Sequence, residues 1–241
     1  NRMGLLMWMS HPCWPSMVWQ TYDYYLEPTA AYFAIKKASE PLHIQWNPAT
    51  DEVEVVNYSA GTHSHLTARV QILNMDASVA WEKETTVDSR EDTTEKCIKL
   101  EFPETLSEVY FIKLWLLEDG KILSDNFYHA SRKGINYQAL KQLPEVTLDC
   151  QAKVVQDKEG NWTATVTLTN PTSTPALMTR INVVGDKDGD QFLPILYEDN
   201  YFALLPGEQK EVSVRWKDVD TRGNSPVIRI TGYNVKELSR Q

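Results

Sequence analysis

The hydrophobic pattern of this chain changes period near residue 42, and this change limits the folds that the chain can adopt. From there on, apolar and polar residues alternate in short runs, as at Val53/Val55 and Val70/Ile72, which is typical of half-buried β-strands. Turn signals such as Asp119-Gly120 separate the runs. No helical pattern of any length competes between residues 42 and 132, so this region is predicted to be antiparallel β-structure.

Two successive β-sandwich domains are predicted from these runs. Residues 42–132 carry seven strand-like runs, and residues 145–241 repeat the pattern over about 100 residues, the usual size of such a sandwich. The polar stretch 133–144, with Gly134 and Pro144, is typical of a linker. The predicted strands are 42–46, 52–58, 66–73, 79–86, 96–102, 109–117 and 122–128 in the first domain, and 146–155, 162–169, 177–184, 192–196, 201–204, 210–216 and 227–233 in the second.

The first 41 residues follow a different pattern. The continuous apolar run from Leu5 to Met9 suits a strand buried on both faces, as in parallel sheets covered by helices. A loop rich in aromatic residues and proline follows. Pro28 stands at a favoured first helical position, and apolar residues recur at helical spacing until Glu40-Pro41. This region is therefore predicted to be a strand, a loop and a helix.

Charge and composition exclude several classes of partner. The chain has 24 basic and 33 acidic residues and a net charge of −9. It therefore lacks the excess of basic residues that binding to nucleic acids or anionic membranes requires. No apolar run approaches the roughly 18 residues of a membrane span. The three cysteines, Cys13, Cys97 and Cys150, show no CxxC spacing and are too scattered for a disulfide framework.

Two patterns resemble metal sites without completing one. The run Asp186 to Asp190 is similar to the start of a calcium loop, but Tyr197 stands where the distal carboxylate ligand is needed. A polar hairpin turn is the favoured interpretation. His63 and His65 alternate, but no third ligand is near them in sequence, and zinc generally takes at least three protein ligands. We therefore predict no metal and no cofactor.

The most specific segment contains Trp8, then His11-Pro12, Trp14-Pro15, Trp19 and Asp23-Tyr24. It resembles the last β/α unit of the barrel in glycoside hydrolase family 2, in the branch of β-mannosidases and exo-β-D-glucosaminidases. Farther along the chain, the runs Leu193–Phe202 and Leu205–Glu208 are similar to the terminal immunoglobulin-like domain of the exo-glucosaminidases.

This resemblance implies a mainly β fold class: two immunoglobulin-like β-sandwich domains preceded by the last strand-loop-helix of a (β/α)₈ barrel. Residues 1–41 would be the barrel remnant. Chemistry in such barrels lies at the C-terminal ends of the strands, so the loop after Met9 would face the active site of a longer parent enzyme. By the same resemblance, Trp8 would form the floor under the terminal sugar and Trp14 would lie near the rim. His11-Pro12 replaces an Asn-Asp pair of the mannosidases, which favours the glucosaminidase branch.

The resemblance also implies what this chain does not contain. A retaining glycosidase needs two flanking carboxylates, and in this family both are glutamates on earlier barrel strands. No catalytic residue is therefore expected here, and the chain alone is expected to be inactive. The implied partners are the chain's own upstream barrel domain and the carbohydrate substrate of the full-length parent, and the implied location is periplasmic or secreted. Without barrel neighbours, residues 5–9 are expected to be disordered, refolded or packed against another chain.

Two other functions compete with this interpretation. A stand-alone carbohydrate-binding module would use exposed aromatic residues as a stacking platform, although these candidates lie in alternating strands where core packing is the default. They are Trp46, Trp81, Trp162 and Trp216. An adhesin or receptor built from tandem immunoglobulin-like domains would explain the β regions but not the first forty residues. Trp19 is expected to be a core residue.

Overall fold

The computed structural model describes residues 6–16, 19–58 and 60–240. The chain divides into two compact units, one formed by residues 37–143 and the other by residues 1–36 together with 144–241. Strands are the main secondary structure, as the alternation predicts. Over these described ranges, no helix has the length and apolar content that crossing a membrane requires.

The unit formed by residues 37–143 contains seven antiparallel strands in two sheets. The strands are β1 (Leu42–Asn47), β2 (Glu52–Asn57), β3 (His63–Asn74), β4 (Val79–Ser89), β5 (Thr93–Lys99), β6 (Val109–Glu118) and β7 (Lys121–Ser131). One sheet has the order β1-β2-β5 and the other β4-β3-β6-β7. Ile44, Val53 and Val55 of the first sheet join Val70 and Leu114 of the second in one buried cluster, because alternating residues of each strand face the same side.

The turn between β6 and β7 is the one that the sequence predicts. Asp119 and Gly120 form a two-residue loop between the paired residues Glu118 and Lys121, and their φ angles are 49° and 79°. Two positive φ angles in a two-residue loop define the type I′ turn, whose twist matches that of the flanking strands.

The other unit also contains a pair of antiparallel sheets. Its strands are β8 (Asp149–Gln156), β9 (Asn161–Thr169), β10 (Ala176–Gly185), β11 (Leu196–Tyr197), β12 (Phe202–Leu204), β13 (Gln209–Lys217), β14 (Pro226–Thr231) and β15 (Leu238–Arg240). The sheet orders are β12-β10-β14-β15 and β11-β13-β9-β8. Helix α1 (Ala30–Ala38) contributes Phe33 to the buried core of this unit. Two short 3-10 helices span Gln138–Gln142 and Asp218–Thr221.

Several predicted boundaries shift in the structure. Helix α1 begins at Ala30, because Pro28 instead forms an isolated bridge with Tyr22. The strand predicted for 192–196 is reduced to β11, although Phe192 and Ile195 are still buried in the core. The segment is irregular but its apolar residues are buried, and their spacing in the sequence resembled that of a strand. Strand β15, which pairs with β14, was not predicted.

The apolar run 5–9, for which a strand is expected within a barrel, forms no strand over the described residues 6–9, and Leu6 and Trp8 are 99% and 86% exposed. An extended segment needs partners for its backbone groups, and no strand of the described part of the chain pairs with this one. Leu5 lies outside the described residues.

Candidate functional site

The aromatic segment, which we define as residues 8–28 without 17 and 18, carries the residues to which the sequence assigns sugar binding. Trp8, Trp14 and Trp19 are 86%, 67% and 70% exposed. The prediction that Trp19 is a core residue is therefore wrong. The structure leaves the indoles of all three tryptophans accessible to a ligand or to another part of a larger protein.

Backbone hydrogen bonds close the aromatic segment into a defined loop. The Ser10 carbonyl accepts from the Tyr22 N–H at 3.0 Å and from the Thr21 hydroxyl at 3.1 Å. The Thr29 N–H donates to the Thr21 carbonyl at 2.9 Å, and its hydroxyl donates to the Gln20 carbonyl at 2.6 Å. These bonds hold the chain before Trp14 against the chain after Trp19. The path of the segment is therefore set by hydrogen bonds, although its tryptophans are exposed.

A tight turn from Asp23 to Glu27 ends the loop. One oxygen of the Asp23 carboxylate accepts the N–H groups of Tyr25 at 2.8 Å and Glu27 at 2.9 Å. The Asp23 N–H donates to the Glu27 carbonyl at 3.0 Å, and Leu26 takes a left-handed φ of 69°. Carboxylates that accept local backbone N–H groups are typical of such turns. The turn leaves Tyr24 exposed, where it stacks on the His11 ring at a centroid distance of 6.4 Å.

The turn is attached to the sandwich by a buried carboxylate. Glu27 is 7% exposed, and it accepts hydrogen bonds from the Arg180 guanidinium and from the Asn182 amide, the latter at 3.2 Å. Both partners belong to β10. The side-chain Oδ1 of Asn182 in turn accepts from the guanidinium of Arg229 on β14 at 3.0 Å. Burial alone would lower the pKa of Arg180, but the charge of Glu27 outweighs it and raises this pKa above its ordinary value.

The motif that resembles the terminal immunoglobulin-like domain lies beside this carboxylate. Asn200 is buried, and its side chain accepts from the Ile181 N–H at 2.7 Å and donates to the Ile181 carbonyl at 2.8 Å. The Tyr201 ring packs against Phe33 at 5.9 Å and faces the Arg180 guanidinium at 6.0 Å. Burial raises the pKa of Tyr201. The motif therefore supports the strand that holds Glu27.

The sequence-predicted metal patterns have other partners in the structure. Asp186 accepts from the Ser225 N–H at 2.9 Å, and Asp188 accepts from the Asp190 N–H at 3.0 Å. His63 lies 2.9 Å from a Glu118 oxygen, whereas His65 lies in a register shift with a positive φ of 60°. Among the residues that the structure describes, no group of three or more His, Cys, Asp or Glu side chains could hold a metal ion.

The tryptophans of the competing binding-module hypothesis are packed. Trp216 is 4% exposed, and Trp46, Trp81 and Trp162 are half-buried. Trp46 makes edge contacts with the Phe102 and Tyr128 rings at 6.5 and 5.8 Å. These four side chains therefore do not present the flat exposed platform that the hypothesis requires.

The Glu27–Arg180 pair was missed by reasoning from the sequence. Its members are 153 positions apart, and a single acidic residue before a proline carries no pattern of its own. The only signal was Arg180 itself, a charged residue in the strand-like run 177–184, whose other members are largely apolar.

Comparison with known proteins identifies the family. Residues 126–235 match the protein family described as the exo-beta-D-glucosaminidase Ig-fold domain. An exo-beta-D-glucosaminidase of Streptomyces avermitilis is 33% identical over 97% of this chain and 28% of its own length. The chain belongs to the exo-β-D-glucosaminidase and β-mannosidase branch of glycoside hydrolase family 2. An exo-beta-D-glucosaminidase of Amycolatopsis orientalis is 32% identical over 96% of this chain and 25% of its own length.

Solved structures of this family agree with the sequence match. The crystal structure of the Amycolatopsis orientalis exo-chitosanase CsxA has a TM-score of 0.88 at 28% identity, over 97% of this chain and 30% of that one. A β-D-mannosidase from Dictyoglomus thermophilum shares the fold, with a TM-score of 0.64 at 16% identity over 95% of this chain and 26% of that one. The chain spans 28% and 25% of the length of the two bacterial relatives above, and it matches a non-catalytic Ig-fold domain of these glycosidases.

Proposed function

We propose that this chain is the non-catalytic part of a longer family 2 glycosidase that releases β-linked glucosamine or mannose from chain ends. In this proposal the sandwiches brace a barrel domain, and the aromatic segment supplies part of the sugar site. The observation that carries the proposal is the pair of exposed indoles, Trp8 and Trp14, on a loop held by internal hydrogen bonds and by the buried Glu27.

The exposure of these indoles supports a binding role. Leaving a large apolar side chain in water forfeits roughly 1.5–3 kcal/mol of burial free energy. Clustered exposed apolar side chains are typical of binding sites, and Trp8, Trp14 and Trp19 are all exposed within twelve residues of sequence. An indole face packs well against the C–H face of a pyranose, so Trp8 would form the floor under the terminal sugar and Trp14 the rim.

The acidic residues of the aromatic segment have other roles. A retaining glycosidase requires two carboxylates about 5–5.5 Å apart with access to the glycosidic bond. Asp23 is used by the turn and Glu27 by Arg180. In the proposal, the nucleophile and the acid/base therefore come from an upstream barrel domain. By family analogy, the whole protein is periplasmic or secreted, and cell fractionation of the source organism would test this location.

Activity assays test the proposal directly. We would express the longest reading frame that contains this chain, and separately the 241-residue chain, and assay both with p-nitrophenyl β-D-glucosaminide and β-D-mannoside. Only the longer protein should hydrolyse either substrate. Hydrolysis by the 241-residue chain, or none by the longer protein, would contradict the proposal. Millimolar binding of chitosan oligosaccharides by the shorter chain would instead favour a stand-alone binding module.

Substitutions test the assigned residues. Trp8→Ala should raise KM of the longer protein by about 10-fold or more, because an aromatic anchor contributes on the order of 1–2 kcal/mol or more to binding. Trp14→Ala should have a smaller effect in the same direction. Trp19→Ala is the matched control, since Trp19 is as exposed as Trp14 but has no assigned sugar contact. Equal effects at all three positions would remove the specific role of Trp8.

A further inference from the structure

We propose that Glu27 is a positioning residue: its ion pair with Arg180 sets where the aromatic segment, and therefore Trp8, is held. This inference rests on the proposed function, because it assigns a second role within the same site. Glu27 is buried against β10, and its assigned role is to act on the site through Trp8.

The contacts of Glu27 impose one orientation on its carboxylate. The carboxylate accepts from the Arg180 guanidinium and from the Asn182 amide at 3.2 Å, and Arg229 fixes the Asn182 amide by donating to its oxygen at 3.0 Å. Three side chains on two neighbouring strands therefore define one position for the carboxylate. A planar guanidinium satisfies a carboxylate only within a narrow range of orientations.

A chain of hydrogen bonds connects Glu27 to the backbone near Trp8. The backbone N–H of Glu27 donates to the Asp23 carboxylate at 2.9 Å, and the Asp23 N–H donates back to the Glu27 carbonyl at 3.0 Å. Tyr22, the residue before Asp23, donates its N–H to the Ser10 carbonyl at 3.0 Å. Ser10 is two residues from Trp8. A displacement of Glu27 is therefore passed through hydrogen-bonded backbone to the residue that carries the sugar floor.

The Glu27–Arg180 contact is a charged pair at a place where an apolar contact could supply stability. Replacing a buried ion pair with apolar residues of similar volume is often neutral or stabilising, so stability alone does not require the pair. What an ion pair adds is direction. The Nε of Arg180 is buried without a hydrogen-bond partner, and Glu27 is the carboxylate that pairs with its guanidinium. Loss of Glu27 would leave a poorly solvated cation facing the loop.

The test uses two readouts. The first reports the position of Trp8 and needs no enzymatic activity, whereas the second requires the activity that the proposed function assigns to the longer protein. The first is ¹⁹F NMR of the 241-residue chain labelled with 5-fluorotryptophan, with the Trp8 resonance assigned by Trp8→Phe. The second is kcat and KM of the longer protein with p-nitrophenyl β-D-glucosaminide or β-D-mannoside, whichever it hydrolyses. Glu211→Gln is the matched control, because Glu211 lies exposed on β13 of the same unit.

We expect Glu27→Ala to shift the Trp8 resonance and to raise KM by up to about 10-fold, approaching the effect of Trp8→Ala, because a displaced indole no longer packs against the sugar face. The value of kcat should change much less, because the sugar floor acts on bound substrate and transition state alike. Glu27→Gln keeps an acceptor for Asn182 and should give a smaller change of the same kind. The variant Glu211→Gln should match the wild-type protein in both readouts.

A purely structural role gives a different result. It would lower the folded fraction, and with it the apparent kcat, at constant KM. The double variant Glu27→Met/Arg180→Met separates the two roles, because an apolar pair restores packing without direction. We expect it to fold as well as the wild-type protein and still to show a raised KM. A wild-type KM in the double variant, or an unchanged Trp8 resonance in folded Glu27→Gln and Glu27→Ala, would overturn the inference.

Failure of the proposed function is recognisable separately. If the longer wild-type protein hydrolyses neither substrate, the proposed function fails and this inference fails with it, whatever the NMR spectrum shows. If that protein is active and Trp8→Ala raises KM while Glu27→Ala leaves KM unchanged, only the inference fails.

Discussion

Trp162 and Trp216 lie opposite each other on β9 and β13, and their indole rings stack with centroids 6.1 Å apart and an interplanar angle of 5°. Trp216 is buried in the core, and the Trp162 Nε1 donates to Asp218 at 2.8 Å. The pair therefore closes one end of the sandwich core. Trp162 and Trp216, two of the candidates for a sugar-binding platform, therefore have a structural role in the core.

Removal of Trp216 should destabilise the unit that contains it. Trp216→Ala empties a large buried site, which typically costs about 3–5 kcal/mol. The free energy of unfolding, measured by urea denaturation with near-ultraviolet circular dichroism, checks this. Trp19→Ala is the control, because Trp19 is 70% exposed and its loss should change the free energy by less than about 0.5 kcal/mol. Equal losses in the two variants would contradict the assignment.

The turn between β6 and β7 should require glycine at its second position. A Cβ added to Gly120 meets no atom within 4 Å, but φ is 79°, so Gly120→Ala should cost about 1 kcal/mol through backbone strain alone. Asp119→Gly places glycine at the neighbouring left-handed position and should change stability by no more than about 0.5 kcal/mol. Urea denaturation of both variants measures the difference, and a fully stable Gly120→Ala variant would show that the turn relaxes.

Glu40 should contribute stability that is lost in acid. Its burial would raise its pKa, but hydrogen bonds from His43 and Ser124 and the charge of Lys37 outweigh this and hold the pKa below its ordinary value of 4.5. Because the folded pKa is the lower one, the contribution is complete above about pH 4.5 and is lost as pH falls through the folded pKa. Urea denaturation between pH 3 and 6 should therefore show a shallower acid slope for Glu40→Gln than for the wild-type protein. Identical slopes would refute this expectation.

The three cysteines should differ in reactivity. Cys13 is exposed, whereas burial raises the pKa of the Cys97 thiol to about 11 and its Sγ donates to the Val53 carbonyl at 3.3 Å. Burial also raises the pKa of Cys150. At pH 8 about one Cys97 thiol in a thousand is ionised, and the thiolate is the reactive form. The native protein should therefore show one fast phase with a disulfide reagent, and Cys13→Ser should abolish it. A second thiol that reacts as fast as Cys13 would contradict this order.

Most strands of the fold could be predicted from the sequence, because the alternation that defines each strand is local. The type I′ turn at Asp119-Gly120 was predictable for the same reason, since left-handed backbone conformations favour these residue types. The predictions were wrong where a residue is buried without belonging to a strand, or is apolar without being buried. Phe192 and Ile195 are buried without belonging to a strand, and Trp19 is aromatic but exposed.

The candidate site was predictable only in part. Trp8 and Trp14 were identified from the resemblance of their segment to family 2 glycosidases, and this segment needs no tertiary information to be noticed. The turn that Asp23 closes and the carboxylate that holds it were not identified. Glu27 has no repeating pattern around it, and its meaning depends on a strand that lies more than a hundred residues farther along the chain.

The strand positions, the main turns and the residue types of the aromatic segment follow from the spacing of neighbouring residues along the chain. Which strands share a sheet, which tryptophans are covered and that Glu27 meets Arg180 became known from the folded protein. Burial and ion pairing depend on distances in space, and packing sets these distances between residues that are far apart along the chain.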